Sequence, residues 1–332
     1  MRRREFIALL GSAASLCTRR SFAQPTDRVR LVGWLSPGAP TDLFDQTVRA
    51  ALAKSLRSLG WVEGQNLRIE RRWAARDPSR ARTLAKELVE LRPDVIIAGT
   101  ALSLAALVRE TNSIPIVFVA VSFPVEQGFV TNLAKPGGNI TGFTYIPEPS
   151  LSAKWVELLK EIVPNVSRIA LMFNPETTGA AAEPLIAAIE TAATSFGIEA
   201  VRMPVDKIDR IEVSVAEFAS KPNGGMIVLP DTWLFGHRDS VVQAITKHRL
   251  PAVYPFGLWV REGGLIGYGN DLVEPFRLSA SYVDRILRGE KPGDLPIQQP
   301  TNFELVFNLK TAKALGLAIS PSLLARAHEV IE

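Results

Sequence analysis

Asp94-Val95-Ile96-Ile97-Ala98-Gly99-Thr100-Ala101 sets the reading of this chain. Asp94 to Ala98 reads as a fully buried strand, because Val95-Ile96-Ile97 is continuous rather than alternating, and such a strand needs cover on both faces, which a parallel sheet with helices on both sides supplies. The run stops at Gly99-Thr100, and Ala101 to Arg109 reads as a helix. Upstream, Val29 to Leu35 is an apolar strand that ends at Ser36-Pro37-Gly38. Asp42 to Leu59 carries apolar residues at helical spacing and is closed by Gly60. Leu67 to Trp73 is a second strand, followed by a helix over Pro78 to Leu91. Downstream, Pro115 to Val121 is the next strand. The alternation β-α-β-α predicts parallel strands joined by right-handed crossovers.

The pattern restarts after Pro136-Gly137-Gly138 and a strand near Thr141 to Tyr145. Strands are expected at Arg168 to Phe173, Glu199 to Met203, Met226 to Leu229, Ala252 to Tyr254 and Leu265 to Tyr268. Helices are expected at Ala153 to Ile162, Pro184 to Phe196, Val213 to Ala219, Val241 to His248 and Pro275 to Arg288. The chain thus divides into two successive α/β units with no low-complexity linker.

The first residues read as an address. Arg2-Arg3-Arg4 precedes a short apolar run from Phe6 to Leu16, and Ser21-Phe22-Ala23 suits cleavage after Ala23. Residues 1–23 are therefore an expected export signal, and the mature protein is expected in the periplasm. Arg3-Arg4-Glu5-Phe6-Ile7 fits a twin-arginine signal; a Sec signal with a basic start is the alternative. No later stretch has 18 uninterrupted apolar residues, so no stable membrane insertion is expected. The excess of Lys and Arg over Asp and Glu, 38 against 34, lies mostly in this segment, which holds five Arg and one Glu. The remainder is near neutral and lacks a dense basic run, which argues against a nucleic-acid partner.

Chemistry-bearing motifs are sparse. The chain has no G-x-x-x-x-G-K-[ST] loop and no G-x-S-x-G elbow. The first strand-to-helix turn lacks the spaced glycines of a dinucleotide site, and Gly264, Gly267 and Gly269 read as close packing and turns. The only cysteine, Cys17, lies in the signal, and His237, His248 and His328 form no metal-ligand pattern. No enzyme, metal or cofactor is expected.

In parallel α/β sheets ligands bind beyond the carboxyl ends of the strands. The residues at those tips are the candidate ligand-binding set: Ser36, Thr100, Ala101, Ser122, Phe123, Asn174, Asp231, Tyr254, Tyr268 and Asn270. Gly99-Thr100 stands before a helix and would favour a carboxylate, or Thr100 simply caps that helix. Asp231 would hold an ammonium group, or cap a helix. Trp34, Phe123, Trp233, Tyr254, Phe256 and Tyr268 could form apolar walls, although some belong to the core.

Five segments carry a resemblance over essentially the whole chain: Arg3-Arg4-Glu5-Phe6-Ile7, Gly60 to Leu67, Ile114 to Phe118, Leu133 to Gly142 and Phe303 to Gly316. In order, they resemble the ABC-transporter substrate-binding family of TrpX-like proteins. The resemblance implies a type I periplasmic-binding-protein fold, with two Rossmann-like lobes, parallel sheets and three inter-lobe crossings near Thr144, Asn270 and Thr301. Residues 28–143 with 271–300 would form the first lobe, and 144–270 with 301–332 the second. It further implies a small solute, an amino acid or small aromatic carboxylate, and an ABC permease and ATPase as partners of a monomer. A sensory binding protein docking on a receptor, and an exported enzyme using the same cleft, are the alternatives.

Overall fold

The structure is a computed structural model that describes residues 28–146 and 149–332; the expected export signal lies outside them. The strands are β1 (Arg30–Ser36), β2 (Leu67–Trp73), β3 (Val95–Ala98), β4 (Ile116–Val119), β5 (Ile140–Phe143), β6 (Arg168–Phe173), β7 (Glu199–Pro204), β8 (Gly224–Val228), β9 (Ala252–Tyr254), β10 (Ile266–Asn270), β11 (Phe303–Asn308) and β12 (Glu329–Ile331). They form a five-stranded sheet ordered β2-β1-β3-β4-β5 and a seven-stranded sheet ordered β12-β11-β10-β9-β8-β6-β7.

Val95 to Ala98 shows why the first sheet sits between two helical layers. All four residues are fully buried. Val95 and Ile97 face the helices Leu43–Ser58 and Glu274–Leu287 through Val48, Leu52, Leu56, Phe276 and Val283. Ile96 and Ala98 face Pro78–Glu90 and Ala101–Leu107 through Ala85, Leu88, Leu104 and Leu107. Burial of each Val or Ile contributes about 1.5–3 kcal/mol, so this short strand anchors both layers. The second sheet repeats the device. Ile169, Leu171 and Ile227 pack on Ala153–Ile162 and Ala182–Ser195. Met172, Met226 and Val228 pack on Ile208–Ala219 and Arg238–Lys247.

The chain passes between the sheets after Phe143, after Asn270 and between Gln298 and Phe303. The helix Glu274–Leu287, late in sequence, therefore packs on the first sheet. Segment 295–298 is tied there by Thr141 Oγ1 donating to the Leu295 carbonyl at 2.8 Å and Thr144 N–H to the Gln298 carbonyl at 2.9 Å. The first sheet is wholly parallel, as expected. The second is mixed: β10 and β11 are antiparallel, with Asn270 opposite Phe303. The reason is the path: β10 ends where the chain leaves for the first sheet, and β11 begins where it returns.

Gly264, Gly267 and Gly269, read as close packing from their place within or beside a strand, are closely packed. A Cβ on Gly269 would stand 1.8 Å from the Pro255 carbonyl oxygen. No helix among the described residues is long and apolar enough to cross a membrane.

Candidate functional site

A cavity lies where the carboxyl ends of both sheets meet. From the first sheet come Trp34 and Ser36 at the end of β1, Arg76 after β2, Gly99 and Thr100 after β3, and Ala120 after β4. Tyr145 follows β5. The second sheet supplies Asp231, Thr232 and Phe235 after β8, and Phe256 after β9. Phe44, Asp45 and Val48 enter from the helix Leu43–Ser58, and Phe276 from Glu274–Leu287. Six aromatic residues stand in the walls, and seven polar or charged residues are set among them.

Two of these residues, Arg76 and Ala120, hold strained backbone, as do Ala75 and Phe123 close by in sequence. Ala75, Arg76, Ala120 and Phe123 take φ of 50°, 62°, 57° and 48°. Left-handed angles at side-chain-bearing residues cost energy, and their gathering at strand ends marks a site the surrounding fold constrains.

On the first side, Ser36 Oγ donates to Asp45 Oδ1 at 2.5 Å. Asp45 also accepts from Trp73 Nε1 at 3.1 Å and pairs with Arg49 at 2.8 Å, so its charge is compensated inside the protein. Asp42 is likewise compensated by Arg76, at 2.6 Å. Two polar atoms are different. Trp34 Nε1 and Thr100 Oγ1 are buried and have no hydrogen-bond partner among the described residues. Unpaired buried donors are rare in native proteins and ask for a partner from outside the chain.

On the second side stands Asp231, 6% exposed. Its Oδ1 accepts from the Leu234 N–H at 2.6 Å, capping the helix Thr232–Gly236. Its Oδ2 accepts from Thr177 Oγ1 at 2.5 Å and Thr178 Oγ1 at 2.8 Å. These partners are neutral. Burial pushes its pKa above the ordinary carboxylate value, and the hydrogen bonds from Thr177 and Leu234 only partly oppose this. Burial also pushes the Tyr145 hydroxyl up.

Of the ten residues read from the sequence, Ser36, Thr100 and Asp231 line this cavity. The other seven do not line it. Ala101 begins its helix behind Thr100. Ser122 is buried beside Tyr145. Phe123 inserts into the core under the second sheet. Asn174 caps Pro175–Thr178, accepting from the Glu176 and Thr177 N–H groups at 2.9 and 3.2 Å, and so positions the threonines that hold Asp231. Tyr254 is buried against Trp259, ring centroids 5.4 Å apart. Tyr268 packs on Phe303 beside the crossing. Asn270 lines an adjoining cavity that shares Phe44, Phe256 and Leu272 with the first.

The expectation of an anion site at a helix start meets a helix of only Ala101–Leu107, where Thr100 makes no side-chain cap bond. The free hydroxyl of Thr100 is the feature that remains. Sequence reading missed Phe44, Asp45, Arg76, Tyr145, Phe235 and Phe276 as lining residues. Arg76 and Tyr145 lie two or three residues past their strands, and scanning slightly beyond each tip would have found them. Phe44 and Phe276 sit on amphipathic helices, where an apolar residue reads as core. Trp34, although 1% exposed, both packs on Phe276 at 6.0 Å and lines the cavity.

Residues 43–331 match the family model described as ABC transporter substrate binding protein. The tyrosine-binding protein of Clostridioides difficile (strain R20291) is 25% identical over 265 residues, covering 80% of this chain and 75% of that protein. Two solved structures are close in shape. A conserved domain protein from Vibrio cholerae O1 biovar El Tor is 29% identical, with a TM-score of 0.84 over 91% of this chain and 100% of that one. The ABC domain from Streptococcus pneumoniae in complex with L-Trp is 24% identical, with a TM-score of 0.82 over 91% and 99% of the two chains.

Proposed function

This chain belongs to the family of ABC transporter substrate-binding proteins, and we propose that it clamps an aromatic L-amino acid between two lobes and delivers it to a permease. Its fold is that of type I periplasmic binding proteins, and its family binds solutes rather than transforming them. In this reading, residues 28–143 with 271–300 form one lobe, and residues 144–270 with 301–332 the other.

One observation carries the solute class. The aromatic-walled cavity holds unpartnered buried donors on one side, Trp34 Nε1 and Thr100 Oγ1, and on the other a buried carboxylate, Asp231, whose bonded partners are all neutral. A zwitterion with an apolar side chain answers all three features. Its carboxylate accepts from Thr100 and Trp34, its ammonium meets Asp231, and its ring packs on the phenylalanines. The names of two relatives, a tyrosine-binding protein and a structure holding L-Trp, support this class. The twin-arginine start supports export to the periplasm, where an ABC permease and its ATPase would receive the loaded protein.

The test is a thermal-shift series with L-tryptophan and L-tyrosine, alongside sugars and purines, on protein refolded to remove any co-purified solute. A binder at about 100 times its Kd stabilises the folded state by about 2.7 kcal/mol. For a chain of this size that raises Tm by about 5 °C. A rise with the aromatic amino acids alone supports the reading, whereas a rise confined to sugars or purines removes it.

A further inference from the structure

Arg76 borders the solute cavity but also reaches across the seam between the sheets. Its turn is laced to the turn after β1: the N–H groups of Ala74, Ala75 and Arg76 donate to the carbonyls of Ser36, Gly38 and Pro37 at 2.9, 3.0 and 2.7 Å. The guanidinium lies 2.6 Å from Asp42 Oδ2, with the side chain 16% exposed. Its far face rests on Gly236, at the end of the helix Thr232–Gly236. A Cβ built on Gly236 would stand 2.1 Å from Arg76 Nε, 2.2 Å from Cδ and 2.6 Å from Cζ. Beside this contact Phe44 and Phe235 meet edge to face, ring centroids 5.0 Å apart.

Gly236 does not use the freedom that glycine offers, because its φ is not in the left-handed region. A glycine in a helix costs about 0.5–1 kcal/mol relative to alanine. The space it leaves is occupied by Arg76, and that is the physical reason for the glycine. An added methyl group at Gly236 would require the Arg76 side chain to shift from this seat.

We propose that Arg76 and Gly236 form the latch of the closed clamp: Asp42 holds the arginine ready on one lobe, and the bare backbone at Gly236 on the other lobe is the seat it needs. The inference rests on the two-lobe clamp described above. Contacts made only in the closed form set how far a given solute shifts the clamp, since a solute acts only through its preference for that form. The latch thus sets affinity without touching the solute through Gly236.

The experiment reads closure without a solute. In the full chain with Cys17→Ser, which removes its only native cysteine, Phe44→Cys and Phe235→Cys are introduced. Cross-linking by a short bis-methanethiosulfonate reagent then reports how often the lobes meet. Gly236→Ala and Arg76→Ala are each expected to slow cross-linking by about tenfold, and the two together by no more than the larger single effect, because both remove the same contact. Gly236→Ala favours the helix it sits in, so the fold is not at risk. Equal rates with and without Gly236→Ala overturn the latch, as does an Arg76→Ala rate equal to the parent's, or slowing by the two changes that simply multiplies. The solute class is tested apart from this, by the thermal-shift series on the chain that keeps Phe44 and Phe235; failure there overturns the solute class and leaves the solute-free comparison standing.

Discussion

At the scale of residues, the hydrogen bonds of Asp231 and its burial pull on its charge in opposite directions. It caps Thr232–Gly236 and receives Thr177 and Thr178, and these bonds favour the carboxylate. Burial disfavours it more strongly, so its folded-state pKa lies above the unfolded value. Between those two values the folded chain binds more protons than the unfolded chain, so this group's contribution to stability falls as pH rises through the window. A solute ammonium reverses the preference, because it favours the charged form. Affinity for L-tryptophan or L-tyrosine should therefore rise as pH climbs through the folded-state pKa. Calorimetry across this range should show that dependence in the parent and its loss in Asp231→Asn. Asp231→Ala should weaken binding by about tenfold or more and cost about 1–2 kcal/mol of stability, since the cap and the threonine hydroxyls lose their acceptor. Unchanged calorimetric affinity would remove Asp231 from the site.

At the scale of elements, the strands that matter most to the site are short, and their pairing leaves no room. Gly142 in β5 has φ of 158°, and a Cβ there would stand 2.2 Å from the Phe118 carbonyl oxygen and 2.6 Å from its ring. Gly142 pairs with Phe118 across the β4–β5 register, directly before the chain leaves the first sheet. Gly142→Ala should force these strands apart and lower stability by about 3 kcal/mol. Thermal or urea denaturation checks this, and an unchanged midpoint would show that the pairing yields. The longer elements were legible from periodicity: the expected helices at Asp42 to Leu59, Pro78 to Leu91 and Ala153 to Ile162 lie within two residues of the observed ones. The helix Ile208–Ala219 begins earlier than expected, because its first turn carries the exposed Asp209 and Arg210 rather than an apolar stripe. Pro175–Thr178, Thr232–Gly236 and Gly257–Arg261 escaped notice because four or five residues make barely one turn and show no period.

At the scale of the whole molecule, the cavity belongs to neither sheet alone, and its occupant should order both sides together. Hydrogen exchange measured with and without L-tryptophan should slow around residues 36–38, 99–101 and 231–236. The amides of β3 and β8 should be unaffected, since they already lie in closed ladders. Protection confined to one sheet's loops would point to a solute that sits on one lobe without bridging.

The sequence by itself determined the layered α/β architecture, because Val95 to Ala98 and its counterparts are apolar on both faces and can be satisfied in few other ways. It also placed Ser36, Thr100 and Asp231 at strand ends, where parallel sheets expose backbone ends and functional side chains. Tertiary structure alone decided which strand-tip residues line the cavity. Tyr254 and Tyr268 stand at strand ends as Ser36 does, but turn into apolar packing against Trp259 and Phe303. Tertiary structure also decided the pairing of Asp42 with Arg76 and the seating of Arg76 on Gly236. Periodicity records which face of an element is buried, whereas these contacts depend on how the two sheets meet, and no local pattern encodes that distance.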